Sequence, residues 1–403
     1  MKHSIFLLLS IFLVTSVAVA QSKKEKIEIG VQTTSLTLFE PEFSSFDSTQ
    51  AGVGGRVTYN FNRSIAAEAE INFFPQKQFI LTADGSAIQA QFGVKAGKRF
   101  EKFGIFGKVR PGFLSVNRVG SLIPGPTFAF TIDRRAFFTL NAGGVLELYP
   151  SKKLVVRFDA GDTMVRHPAL FGQTSILDPS ISLIRPAKFN HNFQFTAGVA
   201  FRLGEFPDDG NVDSSSGGPE RTRRYEVGAQ FTSLFVTPGD TPVQVSVPRM
   251  HVEPGLGGRF TFNLTENIAF EAEGNYFTRL RFDFPQGGHM FQGQFGGKVG
   301  KRFERWGVFG KARPGFVGFT RVFDAPVQVP PIFQTKTKFY PSIDVGGVVE
   351  FYISPRWMAR FDAGDTMIRY AEIGIPAFGF PFIIQQKAWR HNLQVSSGIG
   401  FRF

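Results

Sequence analysis

Apolar and polar side chains alternate along most of the chain after position 26, in segments of about ten to fourteen residues. The last segment shows the pattern clearly, because Leu393, Ile399 and Phe401 fall on one face. Gln394 and Arg402 fall on the other face. Alternation with a period of two predicts β-strands that have one apolar face and one polar or small face.

Eight segments of this kind precede position 204. They are predicted at 27–38, 51–62, 65–74, 87–100, 103–114, 136–149, 154–165 and 192–203. The connections between them alternate, with three short turns and four long loops. Both ends of the series therefore lie on the short-turn side, a layout typical of an eight-stranded transmembrane β-barrel.

The second half of the chain repeats the first. RFDAGDTMVR from Arg157 returns as RFDAGDTMIR from Arg360, 203 positions later, and the copies differ mainly in their long loops. The intervening stretch 204–224 is rich in Gly, Ser and Asp, which predicts a flexible linker. We therefore predict an all-β fold with two tandem eight-stranded antiparallel barrels, at 22–203 and 225–403. The alternative is one sixteen-stranded barrel, which the long linker and the many inward glycines disfavour.

The inward positions of both copies carry charged side chains. The predicted inner set is Glu28, Arg56, Glu68, Glu70, Lys95, Lys108, Arg110, Glu147, Arg157 and Asp159, followed by Glu226, Arg259, Glu271, Glu273, Lys298, Lys311, Arg313, Glu350, Arg360 and Asp362. Each copy contributes five basic and five acidic residues, so buried charges could be paired. Because eight strands leave an interior just wide enough for side chains, this pattern predicts two plugged lumens.

The outward positions are mainly apolar. We predict a lipid-facing band that includes Ile65, Ile71, Phe73, Phe92, Val94, Ile105, Val109, Leu140, Leu146, Val156 and Phe158. Aromatic residues at the segment ends predict girdles at the membrane interfaces, formed by Phe73, Phe74, Phe103, Phe113, Tyr149, Trp306 and Trp357.

The N-terminal segment, the hydropathy and the net charge limit which class of protein this is and where it is located. Residues 1–20 have a basic start, a short apolar run and the small-residue end Ala18-Val19-Ala20, which predicts a cleaved secretory signal. With no later long apolar run and a mean hydropathy of −0.04, a helical membrane protein is excluded. The net charge of +12 is spread along strands and turns without a basic patch, so nucleic acid is not an expected partner.

Two features could carry chemistry. Asp159 and Asp162 could be calcium ligands or a catalytic carboxylate pair, but on a regular strand they face opposite sides and would converge only through a bulge at Gly161. His191 and His391 open the last strand of each copy and would need a Ser or a carboxylate beside them to act as catalysts. We expect neither catalysis nor a metal or other cofactor.

Taken together, the predicted signal, strand count, loop rhythm and terminal aromatic make each copy resemble the eight-stranded OmpA/OmpX-type outer-membrane β-barrel domain of bacteria. The resemblance implies Phe401 and Phe403 as the insertion signal read by the barrel-assembly machinery. It also implies a location in the outer membrane, among its lipids and lipopolysaccharide. Such domains serve as anchors, adhesins and surface interaction modules, and occasionally as small channels or enzymes.

Three functions are consistent with this sequence. The leading hypothesis is a non-enzymatic scaffold that displays extracellular loops to an unidentified external partner. The second is a porin-like solute channel, suggested by the many inner charges. The third, and least favoured, is an enzyme that modifies lipid, which would depend on His191 or His391.

Overall fold

Two sets of antiparallel strands make up the protein in a computed structural model of the chain. The structure describes residues 27–38, 48–75, 86–123, 129–173, 181–203, 223–237, 251–277, 288–324, 334–377, 380–385 and 387–403. The predicted signal and nearly all of the predicted linker lie outside these residues.

The first set contains eleven strands. Their bounds are β1 Ile27–Leu38, β2 Ser48–Asn60, β3 Ile65–Phe74, β4 Ala87–Arg99, β5 Phe103–Ile123, β6 Ala129–Ser151, β7 Leu154–His167, β8 Leu170–Gln173, β9 Ile181–Arg185, β10 Lys188–Asn190 and β11 Phe193–Leu203. Strands β1 to β7 pair in chain order, β11 pairs with β7, and the ladder Ile27↔Leu203 joins β11 to β1. The sheet is therefore a closed barrel of eight strands, with the short strand β10 extending the last one along β7.

The second set has the same plan. Its strands are β12 Tyr225–Val236, β13 His251–Asn263, β14 Ile268–Phe277, β15 Met290–Arg302, β16 Trp306–Asp324, β17 Gln334–Tyr352, β18 Trp357–Tyr370, β19 Ile373–Ala377, β20 Phe380–Gln385, β21 Ala388–Arg390 and β22 Leu393–Arg402. Strand β12 pairs with β22, so this half closes on itself too. The two tandem eight-stranded barrels are confirmed, and the sixteen-stranded alternative is wrong.

Strand lengths differ from the prediction on the long-loop side. The hairpin β5–β6 runs on to Ile123 and Ala129 and contains a register shift between Val116 and Val119. Two small hairpins, β8–β9 and β19–β20, occupy the connection before the last strand of each barrel. The ladders thus continue past the positions where the alternation weakens.

Glycines on the inner face allow the narrow bore. Gly143 on β6 is paired with Gly161 on β7, and a Cβ atom at Gly143 would lie 2.3 Å from the carbonyl oxygen of Ala160. A Cβ atom does not fit at that distance, so glycine at these positions allows β6 and β7 to approach closely. The pairing around Gly161 is regular, so the bulge that could bring Asp159 and Asp162 together is not formed.

The outer face is largely apolar and exposed, as expected for Ile65, Ile71, Phe92, Val94 and Ile105. Four assignments on this face were wrong. Phe74 and Tyr149 point into the barrel, and Val156 and Phe158 point outward but are covered by the second barrel. No helix in the described part of the chain has the length and apolarity needed to cross a bilayer.

Candidate functional site: the barrel lumen

Arg157 is the centre of the charged cluster in the first barrel. Its guanidinium donates from Nη2 to Oε2 of Glu68 at 2.9 Å, and a second contact joins Nη1 to Oε1. Its Nε and Nη2 also donate to Asp159 at 3.1 Å. Since β3 and β7 stand on opposite sides of the barrel, the pair Arg157–Glu68 spans the bore. Bidentate pairing fixes its geometry.

The remaining predicted inner charges surround this pair. Lys95 contacts Glu147 and lies 3.5 Å from Glu68, and Arg110 Nη1 lies 2.5 Å from Glu70 Oε2. All of these side chains are buried. Arg56 and Lys108 lie 3.8 Å and 3.7 Å from Asp159. Such burial is tolerated only where every charge has partners. Here Glu68, Glu147 and Asp159 each contact three cations, and Glu70 contacts Arg110 and the Asn72 amide.

The second barrel reproduces this cluster around Arg360. Arg360 contacts Glu271 and Asp362, Lys298 lies 2.5 Å from Glu350, and Arg313 lies 2.5 Å from Glu273. One acidic residue of this cluster, Asp344, was missed in the prediction. Asp344 accepts from Arg313 Nη2 at 2.6 Å and lies 2.9 Å from Lys311 Nζ. The equivalent position in the first barrel is Asn141.

Two further arginines of each barrel enter the lumen from the short-turn end. In the first barrel, Arg99 donates to the Tyr149 hydroxyl at 3.0 Å, and Arg202 donates to Glu28 at 3.1 Å. The guanidinium of Arg202 also lies over the Tyr149 ring, 4.3 Å from its centroid. Arg302 and Arg402 take the same positions in the second barrel. The basic side chains in the lumen therefore outnumber the five that we predicted per copy.

A layer of amide and hydroxyl groups follows the charges toward the long-loop end. Gln89 on β4 donates to Gln194 on β11 across the bore at 3.1 Å, and Thr163 donates to Gln194 at 2.6 Å. Asn72 links the layer to the charges by donating to Glu70 at 2.7 Å and to Gln89 at 3.0 Å. We call these side chains the amide layer. In the second barrel it contains Gln230, Asn275, Gln292, Gln394, Thr366 and Thr232.

Apolar side chains close the lumen at the long-loop end, a feature that we did not predict. The apolar cap of the first barrel consists of Leu36, Phe74, Leu114, Phe137 and Val165, with Leu38, Ala87 and Val116 packed against it. The cap of the second barrel is larger and consists of Leu234, Val236, Phe277, Met290, Val317, Phe319, Tyr340, Ile368 and Tyr370. From the short turns to the long loops, each lumen thus contains two arginines beside a tyrosine, then a charged cluster, an amide layer and an apolar cap.

In the described part of each lumen, the charged groups are covered on the long-loop side by a packed layer of amide and hydroxyl groups and then by the apolar cap. The ion pair Arg157–Glu68 and the hydrogen bond between Gln89 and Gln194 join opposite sides of the barrel across the bore. The lumen is therefore suited to holding the barrel wall in one shape.

The histidines of the last strands lie at the rim, outside these layers. His191 Nδ1 lies 2.5 Å from Asp162 Oδ2, and the backbone N–H of Asn192 donates to the other oxygen of Asp162 at 2.9 Å. His391, Asn392 and Asp365 repeat this geometry. Each histidine therefore has the carboxylate that the third hypothesis requires. Within the described ranges, the ring makes its hydrogen bond to that carboxylate alone.

Asp162 on β7 thus holds His191 and Asn192, the two residues between β10 and β11, against β7. Asn192 adds a second fastening, since its side-chain amide donates to the carbonyls of Thr163 and Asn190 at 2.8 Å and 3.0 Å. Among the residues that the structure describes, no group of three or more His, Cys, Asp and Glu is arranged to hold a metal ion.

The predicted insertion signal lies at the edge of the closing strand. Phe401 packs edge-on against Trp357, with ring centroids 5.0 Å apart, and Phe403 is stacked beside Tyr225 at 5.9 Å. The backbones of Phe403 and Tyr225 exchange hydrogen bonds of 2.9 Å and 3.2 Å. The terminal aromatic residue is thus tied to the first strand of its own barrel.

No family model matches the sequence, and no curated protein matches it either. Among solved structures, the attachment invasion locus protein Ail of Yersinia pestis aligns at 12% identity and a TM-score of 0.29, covering 45% of this chain and 99% of its own. Neisserial surface protein A aligns at 8% identity and 0.31, covering 45% and 100%. The Pseudomonas putida toluene transporter TodX aligns at 8% and 0.26, covering 95% and 91%. The fold assignment rests on the strand pairing itself.

Proposed function

We propose that this protein is a non-enzymatic, non-conducting scaffold of the bacterial outer membrane. Its two barrels anchor the chain and present their long loops outside the cell to a partner. The observation that carries this proposal is the filled lumen. Polar side chains point inward and are buried, whereas apolar side chains point outward and are exposed, which is the inverse of a water-soluble protein.

The lumen argues for a structural role because its groups are committed to one another. In a channel, inner charges face water and are free to contact a passing solute. Here Arg157, Glu68 and Glu147 are buried in mutual ion pairs, and the amide layer and apolar cap cover them from the long-loop side. The parts left for recognition are the loops, whose sequences differ between the repeats.

The two ends of each barrel differ in a way that supports this orientation. Turns at one end are short, and one of them is held by Asn62 Oδ1, which accepts from the backbone of Ser64 and Ile65 at 2.8 Å. Connections at the other end are long and carry the hairpins β8–β9 and β19–β20. Outer-membrane barrels have short periplasmic turns and longer extracellular loops.

Single-cysteine labelling tests location and orientation, since the chain contains no cysteine. Ala187→Cys and Glu372→Cys place a thiol on the long-loop side of each barrel. Glu101→Cys and Glu304→Cys place it on the short turns, and all four sites are exposed. A membrane-impermeant maleimide is expected to label the first two variants on intact cells. The other two should react only after the outer membrane is permeabilised, and labelling of all four on intact cells would contradict the proposal.

The display function itself is tested by exchanging loops. Every long loop of both barrels, including the segments 39–47 and 124–128, is replaced with a Gly-Ser linker of equal length, which keeps the sequence of the barrel strands unchanged. We expect normal insertion, measured by heat-modifiable gel migration, and loss of binding to cells, matrix or surface components that the intact protein retains. Unchanged surface binding after replacement of every long loop would contradict the proposal.

A further inference from the structure

A continuous band of outward-facing residues is buried on the first barrel. Val156 is fully buried, and Phe158, Ala197, Ser35 and Thr49 are 9% exposed or less, although each points away from its own lumen. By comparison, outward positions on the far side are open, as at Ile105, which is 56% exposed. The buried band crosses the four neighbouring strands β7, β11, β1 and β2.

The same band exists at equivalent positions of the second barrel. It contains Ala359, Ser397, Ser233 and Val252, on β18, β22, β12 and β13, and all four are buried. The two bands contact each other. Phe158 is stacked on its own equivalent, Phe361, with ring centroids 6.0 Å apart and an interplanar angle of 7°.

Further contacts continue along the bands. Phe195 on β11 is stacked on Phe231 of β12, with centroids 4.2 Å apart. Cα atoms of β2 approach those of its equivalent, β13, within 8 Å. We define the inter-barrel interface as these two bands, which comprise Val156, Phe158, Phe195, Ala197, Ser35 and Thr49, with Ala359, Phe361, Phe231, Ser397, Ser233 and Val252.

The order of these contacts indicates how the barrels are oriented. Barrel strands tilt by about 35–45°, so a line drawn along the barrel axis crosses successive strands. The buried band follows such a line, beginning on β7 near the short turns and ending at Thr49 near the long loops. At both ends of this line a strand meets its own equivalent. That result requires a pseudo-two-fold axis parallel to the barrel axes, with both sets of short turns at the same end.

We propose that the two barrels form an intramolecular dimer in the bilayer, side by side and in the same orientation, with lipid excluded from the inter-barrel interface. The partner recognised by this face of each barrel is the other repeat of the same chain. Small residues such as Ala197, Ala359 and Ser397 allow close approach between the walls. In a bilayer, association depends on such close packing because lipid is as apolar as the protein surface. This inference is independent of what the loops bind.

Paired cysteines in the full-length protein test the proposal. The variant Phe158→Cys/Phe361→Cys places thiols at the centre of the interface, and Ala197→Cys/Ser397→Cys places them in small side chains of the same bands. Ile105→Cys/Val308→Cys is the matched control, because its positions are also equivalent but are 56% and 43% exposed. A site for a specific protease is inserted within 204–224. Cells are treated with a short bifunctional thiol reagent and the linker is then cleaved.

We expect both interface pairs to run as one full-length band on a denaturing gel after cleavage, and the control pair to run as two halves. Before cleavage, every product should have the mass of a single chain. Separation of the halves in both interface variants would overturn the proposal. Efficient cross-linking of the control, or cross-linking only between different chains, would overturn it too.

Discussion

The two barrels share a charged cluster but differ at one position of it, which is Asp344 in the second barrel and Asn141 in the first and which we call the corner. In the second barrel, Asp344 accepts from Arg313 and contacts Lys311 at 2.9 Å. In the first barrel, Asn141 stands at the equivalent position and the contact from Arg110 is 3.4 Å. Lys108 Nζ there has no hydrogen-bond partner among the described residues. At this position the first lumen therefore holds the equivalent cations, Arg110 and Lys108, with one carboxylate fewer.

The apolar cap of the first barrel is also the smaller of the two caps. The first cap has Ala87 and Val116 where the second has Met290 and Phe319, and His167, which lies beside Phe137 of the first cap, is equivalent to Tyr370 of the second. Larger side chains cover the second lumen more completely. The central ion pairs are therefore common to both barrels, whereas the residue at the corner and the size of the cap differ and should determine the relative stability of each barrel. We expect the first barrel to be the less stable one.

The largest effect is expected from removing the central arginine. Arg360→Gln leaves Glu271 and Asp362 buried without their main partner, which should destabilise the second barrel by about 3–5 kcal/mol. All three tryptophans, Trp306, Trp357 and Trp389, lie in this barrel, so urea unfolding followed by tryptophan fluorescence reports on it selectively.

Arg157→Gln is the matched variant of the first barrel. It should shift heat-modifiable gel migration of the protein while leaving most of the tryptophan transition in place. Equal shifts of the tryptophan transition in both variants would contradict two separately closed lumens.

A smaller loss of stability is expected when a buried side chain is removed from the cap of the second barrel. Met290→Ala deletes a fully buried side chain and should cost the second barrel about 2–5 kcal/mol, because the surrounding cap collapses only in part. Met367→Ala, on the outer face of the same barrel, is the control and should cost clearly less. The fluorescence-detected midpoint in urea measures both, and equal losses would show that the cap is not tightly packed.

Exchanging Asp344 and Asn141 should lower the stability of the second barrel and raise the stability of the first. Asp344→Asn removes a charged acceptor from Arg313 and Lys311 and should lower the free energy of unfolding by about 1.5–3 kcal/mol. Asn141→Asp supplies the missing carboxylate beside Lys108 and should raise the temperature at which the first barrel unfolds. Loss of stability in both variants would mean that the corner carboxylate is not what distinguishes the barrels.

The smallest effect is expected at the rim. His191→Ala and His391→Ala each remove one exposed contact to an aspartate, and such pairs contribute less than about 1 kcal/mol. We expect unchanged unfolding midpoints and an unchanged lipid profile in the double variant. A changed lipid profile, measured by mass spectrometry of extracted lipids, would favour the enzymatic hypothesis instead.

Much of the scaffold could be predicted because it follows from local alternation. A period of two places Arg157 and Glu68 on the inner face whatever the rest of the chain does. The cap was missed because Phe74, an aromatic residue at a strand end, has the same pattern as an interfacial girdle. Phe158 was assigned to lipid because an outward apolar residue looks the same whether lipid or a second barrel covers it.

The rim contact could not be predicted either. His191 and Asp162 are 29 positions apart, and the connection between them varies in length between the repeats. Only the register of β7 against β11 brings them together. Asp344, in contrast, lies on the same face as Glu350 by the period of two, and it was missed because the inner charges were matched between the copies and the first copy has Asn141 there.

Conductance of the purified full-length protein in a planar bilayer tests the central claim most directly. Because both lumens are filled by paired charges, amides and apolar caps, we predict no conductance steps after insertion is verified by heat-modifiable migration. Reproducible steps from the wild-type protein, absent from matched preparations without it, would contradict the filled lumen and establish a channel.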